Sequence, residues 1–458
     1  MELYQLSLKE LIEGLKDKKF TRKEILVSFY TRIQKINPIV NAFLTVIGGN
    51  NWNDKEGELS GIPVGFKDIY VTKDIRTTAG SKVLENYIPQ YNSTVVQKLV
   101  SKGATIVGKT NQDAWAHGSS GENSDFAPTK NPWNIDYVPG GSSSGSAVAV
   151  AAGMCPVAFG TDTGGSIRLP ASFCNVVGLK PTYGRVSRYG IIAMASSHDS
   201  IGHFTRTVYD NALILNMTAG KDPCDATTSN TNVPDYTKNI KNGVKGLKIG
   251  LPKEYLAKGI DPNVEKIFKQ VLQKYEGLGA KIIDISLPHT EYALAVYYII
   301  QPSEVSSNLA RYDGIRFGND RNRFGQEAIR RIMLGTYTLS AGYYDAYYLK
   351  AMKVRTLLIQ DFKKAYEKVD VIITPVSPTL PFKFGEKTDN PLAMYLSDIL
   401  TVTMNLAGVP ALSIPGGFVR GLPVGFQIVG PNFSEDLLYQ VGYAYEQVTD
   451  WHKQKPKL

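Results

Sequence analysis

Two glycine- and serine-rich loops flank a short run of small apolar residues in the first half of the chain. PGGSSSGS runs from Pro139 to Ser146, and GTDTGGS from Gly160 to Ser166. Glycine lets the backbone approach a ligand closely, with no Cβ in the way. In GTDTGGS a serine follows two glycines, so a hydroxyl stands beside N–H groups free of side-chain bulk. Acyl transfer through serine needs both a nucleophilic oxygen and donors for the developing oxyanion. A flexible Gly/Ser linker is the plainer alternative. Linkers are polar throughout, however, and these loops sit among apolar strand and helix patterns.

A serine nucleophile also needs a base. The five histidines are His117, His198, His203, His289 and His452. None carries a recognisable signature, and no GxSxG elbow occurs, so a histidine triad stays open without a motif to support it. Lysine is another option, because burial disfavours the ammonium and lowers its pKa toward neutrality. Lys67 closes the apolar run in GIPVGFKD, which predicts a buried strand. One motif is set aside. GATIVGKT (Gly103 to Thr110) matches the phosphate-loop pattern GxxxxGK[ST] as text. Such a loop follows a strand, whereas Ala104 to Val107 has the pattern of the strand itself, preceded by a helix and ending at Gly108. No ATP binding is expected to depend on Lys109.

The elements that must position these loops follow from periodicity. Ser7 with Glu10, and Thr21 with Glu24, form two capping boxes that predict two N-terminal helices. Ile25, Phe29 and Ile33 share one face of the second. Beyond Ile62, short β-rich runs alternate with helical ones. Helices are expected over Ser93 to Lys102 and Ser146 to Ala152. Another should start at Pro262, capped by Asp261 and closed by Gly277 and Gly279. Leu247 to Pro252, Lys281 to Ile285 and Val369 to Pro375 predict strands. ALSIP and PVGFQIVG predict two more, with a Gly-rich connection. This alternation predicts an α/β protein with a largely parallel or mixed sheet. The polar stretch from about Gly220 to Gly243 has the composition of a surface excursion.

The 458 residues are 43% hydrophobic and 20% charged, enough for a large core without disulfides or metals. Cys155, Cys174 and Cys224 form no CxxC pair, so neither a disulfide framework nor a zinc site is expected. There is no signal-peptide pattern at the N-terminus and no membrane-length apolar run. A reduced, cytoplasmic setting follows as an expectation. The net charge of +9 can favour nucleic acid, but Lys and Arg are scattered. Clusters such as Lys16 to Lys19 and Lys350 to Arg355 are expected to be solvated surface.

Taken together, PGGSSSGSA, GTDTGGSIRLPASFCNVVGLKPTYGRVSR and GIPVGFKD resemble the amidase signature family over nearly the whole chain. The spacing agrees as well, with 75 positions from Lys67 to Ser142 and 24 from Ser142 to Ser166. The resemblance implies an amidase signature fold, a central mixed β-sheet flanked by helices on both faces. It implies one domain over 1–458, with an N-terminal helical segment (1–60), a signature core (61–210) and a second half (246–458). It also implies a Ser–Ser–Lys triad. Ser166 attacks the amide, Ser142 (after a cis peptide) relays the proton, and neutral Lys67 receives it. N–H groups of Thr163, Gly164, Gly165 and Ser166 would form the oxyanion hole.

Residues 179–212, 306–318, 335–351 and 394–417 resemble the branch of that family that serves tRNA-dependent amidotransferases. There glutamine is the ammonia donor. The resemblance implies Asp398 for its α-amino group, Arg331 for its α-carboxylate and Tyr297 alongside. It implies a heterotrimer, with a tRNA-binding subunit that carries ATP and Mg and a small bracing subunit. This chain itself would bind no metal or cofactor. Some positions depart from the family. Ser144 replaces a glycine, which would strain a left-handed position. Ala114 and His117 alter the segment Asn111 to Ser124, which lines the substrate region in relatives. The chain is also short before Gly61 and between Phe317 and Arg330. The alternatives are a stand-alone amidase, a non-catalytic scaffold and a chain that binds nucleic acid through its charge.

Overall fold

The computed structural model describes residues 2–48, 52–256, 259–312 and 318–458. Parts of two sequence expectations, the resemblance over 313–317 and the shortening at 49–51 and Phe317, lie outside the described residues. Both capping boxes form. Ser7 and Glu10 start helix Leu8–Lys16, and Thr21 and Glu24 start helix Arg22–Val40, each with reciprocal side-chain and backbone bonds. Ile25, Phe29 and Ile33 of the second helix are buried.

The strands are β1 (Phe43–Val46), β2 (Pro63–Lys67), β3 (Thr105–Thr110), β4 (Val157–Asp162), β5 (Val177–Lys180), β6 (Ser200–Thr205), β7 (Lys248–Pro252), β8 (Lys281–Ile285), β9 (Val371–Pro375), β10 (Ala411–Val419) and β11 (Leu422–Val429). They form one mixed sheet in the order β1-β3-β2-β4-β6-β5-β10-β11-β9-β7-β8. β2 runs parallel to both β3 and β4. β5 joins β10 antiparallel, which fuses the two halves of the chain into a single sheet.

Helices cover both faces, and β4 shows why. Side chains of a strand alternate between faces. Val157 and Phe159 enter a core with Val95, Val96 and Leu99 of helix Thr94–Ser101 and Leu215 of helix Val208–Thr218. Ala158, between them, enters a second core with helices Ser144–Ala151 and Arg168–Cys174. Among the described residues no helix is long and apolar enough to cross a membrane.

Four expectations need correction. The strand of the GATIVGKT segment runs on to Thr110, and Lys109 is wholly buried there. Its ammonium lies 3.2 Å from Asp68 and donates to Tyr70 O and Thr77 Oγ1, so the lysine is an internal tie. Gly416 and Gly417 are not a connection. They lie within β10, where the register with β11 shifts. Arg355 is not solvated surface, because it reaches inward to donate to Leu406 O and Ser197 O. The helix after PGGSSSGS begins at Ser144, and the left-handed position in that loop is Gly140, with φ of +79°. Ser144 is therefore unstrained, and its hydroxyl donates to Thr129 Oγ1.

Candidate active site

Parallel pairing of β2 with β4 brings the base and the loops together. Lys67 is the last residue of β2 and has no exposed surface. Its Nζ donates to Ser142 Oγ at 2.7 Å and to Thr161 Oγ1, near the end of β4, at 2.9 Å. Burial pulls the ammonium down from the ordinary lysine value to about 7, against the charges of Asp113, Asp199 and Asp162. The partners are neutral hydroxyls, so nothing in direct contact holds the proton in place. The Gly141–Ser142 peptide is cis. Ser143 N–H donates to Ser166 O at 3.2 Å, joining the two serine loops.

Asp162 shapes the 163–166 loop. Its carboxylate accepts from Gly165 N–H, Ile167 N–H and the Arg168 side chain. Burial pushes this carboxyl up, but the Arg168 guanidinium outweighs it and holds the group at about 2. Gly165 thereby leaves the set of expected oxyanion donors, since Asp162 Oδ1 already occupies its N–H at 2.9 Å. The N–H groups of Thr163, Gly164 and Ser166 make no hydrogen bond to the described residues. Ser166 itself is only 8% exposed.

Tyr297 and the Asp398 segment reach the same loop from the second half of the chain. A Cβ on Gly164 would lie 2.6 Å from Tyr297 Oη, so glycine here admits the tyrosine. Thr401 Oγ1 donates to Gly164 O and Asp398 O, tying the Asp398 segment to the loop. Asp398 is buried. It accepts from Ser119 Oγ at 2.8 Å and Tyr298 Oη at 3.1 Å. Burial raises its carboxyl to about 6. Arg331 is buried as well, bound through Nε to Glu327 and through Nη1 to Gln301, with its guanidinium 5.3 Å from the Tyr298 ring centroid. Nη2 makes no hydrogen bond to the described residues. Its neighbour Arg330 is largely exposed and pairs with Glu327. The tyrosine that bonds Asp398 is thus Tyr298, and Tyr297 packs on Gly164.

Sequence reasoning missed Ser119, Tyr298 and Thr161. Only the position of Ser119 within the altered 111–124 segment gave a signal. A cleft of about 150 Å³ is lined by Ser119, Glu122, Arg330, Arg331, Lys387 and Tyr395, among others. The next cavity, about 220 Å³, is lined partly by Ala114 and His117, the two departures from the family. Burial, then the Arg331 charge, hold His117 well below the usual histidine range, so it is neutral. A roomier cavity of about 430 Å³, between helices Ala293–Leu309 and Gln326–Thr338, touches none of the expected residues. Among the described residues no cluster of three potential metal ligands occurs.

Residues 24–439 match the family described as Amidase. The A subunit of glutamyl-tRNA(Gln) amidotransferase from Geobacter metallireducens is 54% identical, with 99% of each chain covered. Its namesake from Carboxydothermus hydrogenoformans is 53% identical over the full length of both. Among solved structures, the A subunit of glutamyl-tRNA(Gln) amidotransferase from Thermotoga maritima superposes with a TM-score of 0.88 at 44% identity, covering 98% of this chain and 95% of that one. A 6-aminohexanoate cyclic dimer hydrolase superposes with a TM-score of 0.91 at 25% identity, covering 100% of this chain and 99% of that one.

Proposed function

The chain belongs to the amidase family, within the group of glutamyl-tRNA(Gln) amidotransferase A subunits, and on that premise we propose the steps by which it takes ammonia from glutamine. Arg331 Nη2 receives the α-carboxylate of glutamine, a match of planar donor to planar acceptor. Asp398 receives the α-ammonium. Ser166 Oγ attacks the side-chain carbonyl as its proton passes to Ser142 Oγ and the Ser142 proton passes to Lys67 Nζ. The oxyanion rests on N–H groups of Thr163, Gly164 and Ser166, where each lost donor costs about 3–4 kcal/mol of barrier. The C–N bond breaks as the proton returns through Ser142 to the leaving nitrogen. Ammonia departs, and water releases glutamate from Ser166.

The observation that carries this sequence is the 2.7 Å bond from a fully buried Lys67, poised at about 7, to Ser142. Lys109, on the neighbouring strand, faces the Asp68 carboxylate instead. The ammonia then serves a partner subunit that amidates Glu-tRNA(Gln), or Asp-tRNA(Asn), with ATP and Mg. A small third subunit braces the assembly, which is cytoplasmic.

Glutaminase activity of the chain, alone and with its partner subunits and misacylated tRNA, tests this. Ammonia release should rise with the partners and vanish in Ser166→Ala. Turnover of other amides by the lone chain, with no glutaminase in the assembled complex, would mark a stand-alone amidase instead.

A further inference from the structure

The segment between β3 and the PGGSSSGS loop holds a carboxylate that the steps above leave unused. Asp113 has no exposed surface. Its Oδ1 accepts from Asn123 N–H at 2.9 Å, and its Oδ2 from Gly121 N–H at 3.1 Å. Its own N–H donates to Ser142 O at 3.3 Å, and Gly141 N–H donates to Ser119 O at 2.9 Å. A Cβ on Gly141 would sit 2.1 Å from Asp113 Oδ2, so the carboxylate lies directly against the residue preceding Ser142. The Asp113 carboxylate therefore fixes the loop that carries Ser119, which holds Asp398, and the Asp113 backbone N–H ties that loop to Ser142, the partner of Lys67.

We infer that Asp113 is a positioning residue that locks these two loops together beside Ser142, the partner of Lys67, so that its charge governs when the Ser142–Lys67 relay can accept a proton. This rests on the proposed role of Lys67 and Ser142 as proton carriers. The electrostatics agree with the geometry. Burial lifts the Asp113 carboxyl to about 7, opposed by the two backbone N–H bonds and by Lys67. Asp113 is also the first of the charges that resist the lowering of Lys67. The other charged groups in play are Glu122, which faces Asp113, and Asp162 and Asp199, which face Lys67. Two buried groups that titrate over one interval share their protons. An ionised Asp113 favours the ammonium, and its protonation frees Lys67 to be neutral.

Removing the charge lowers Lys67 further, so the relay becomes competent at lower pH. The rate at which a fluorophosphonate ester labels Ser166 reads the relay without any need for glutamine binding. In Asp113→Asn the acid limb of that rate should move down by about one pH unit. Its plateau should fall about tenfold, because the amide can accept only one of the two N–H bonds from Gly121 and Asn123 that fix the loop. A limb that stays in place, in a variant whose circular dichroism matches the wild type, overturns the inference.

If Asp113→Asn does not fold, carbon-13 carboxyl spectra of aspartate-labelled wild type and Lys67→Met decide. The aspartate that titrates near neutrality should move to higher pH without the lysine, and an unmoved titration overturns the inference. Labelling that persists in Ser166→Ala would instead sink the proposed chemistry itself, whatever Asp113 does.

Discussion

Lys67 and Lys109 stand on neighbouring strands, both without exposed surface. Lys109 faces the Asp68 carboxylate, while Lys67 faces two hydroxyls. At equal burial, partner chemistry distinguishes the tie at Lys109 from the proposed proton acceptor at Lys67. The same logic applies to Asp398, which hydroxyls of Ser119 and Tyr298 help to keep charged against its burial. A hydrogen bond to a charged group contributes about 1.5–3 kcal/mol. Ser119→Ala should therefore raise KM for glutamine by about tenfold or more and leave kcat nearly unchanged, as steady-state kinetics would show. An unaltered KM would remove Asp398 from glutamine binding. The proposed triad could be read from the sequence because glycine-rich motifs mark the loops of Ser142 and Ser166, Lys67 closes an apolar run, and the three together resemble a known family. Ser119 and Tyr298 could not. They are ordinary residue types whose roles arise only where Asp398 meets a residue 279 positions earlier and another 100 positions earlier.

At the scale of elements, the sequence foretold most helices and strands because their caps and periods are local. It missed Gly416 and Gly417 inside β10, since a glycine pair has the composition of a turn and only strand pairing reveals a bulge. It also gave no sign of how helix termini are satisfied across the fold. Glu446, the last residue of helix Glu435–Glu446, accepts from Val208 N–H at the start of helix Val208–Thr218 at 2.8 Å. Burial raises this carboxyl from 4.5 to about 8, with Asp210 adding to the effect. Between those values the folded chain holds a proton that the unfolded chain has released. Stability must then fall as pH rises through that interval. Glu446→Gln keeps the acceptor and has no proton to lose. Its melting temperature relative to wild type should climb steadily from pH 4.5 to pH 8. A constant difference would show that Glu446 is ionised in the fold.

Across the whole molecule, the sheet is continuous through β5 and β10, and Arg168 sits at that seam. Its guanidinium joins Asp162 of β4 to Gln427 of β11 and to Asn405 of helix Val402–Ala407. Arg168→Met would leave Asp162 buried and unpaired, at a cost of about 3–5 kcal/mol. Urea unfolding should register that loss, and glutaminase activity should fall with it, because Asp162 also holds Gly165 and Ile167. Little change in the unfolding midpoint would mean that water reaches the seam. The alternating pattern foretold this mixed sheet, but which strands meet at its centre depends on contacts between the two halves of the chain.

The same division has a consequence for descent. The groups proposed to break the bond lie between Lys67 and Ser166, and those proposed to grip the donor lie mainly between Tyr297 and Asp398. A lineage that recombined or drifted in the later stretch alone would inherit intact chemistry and acquire a different set of amides.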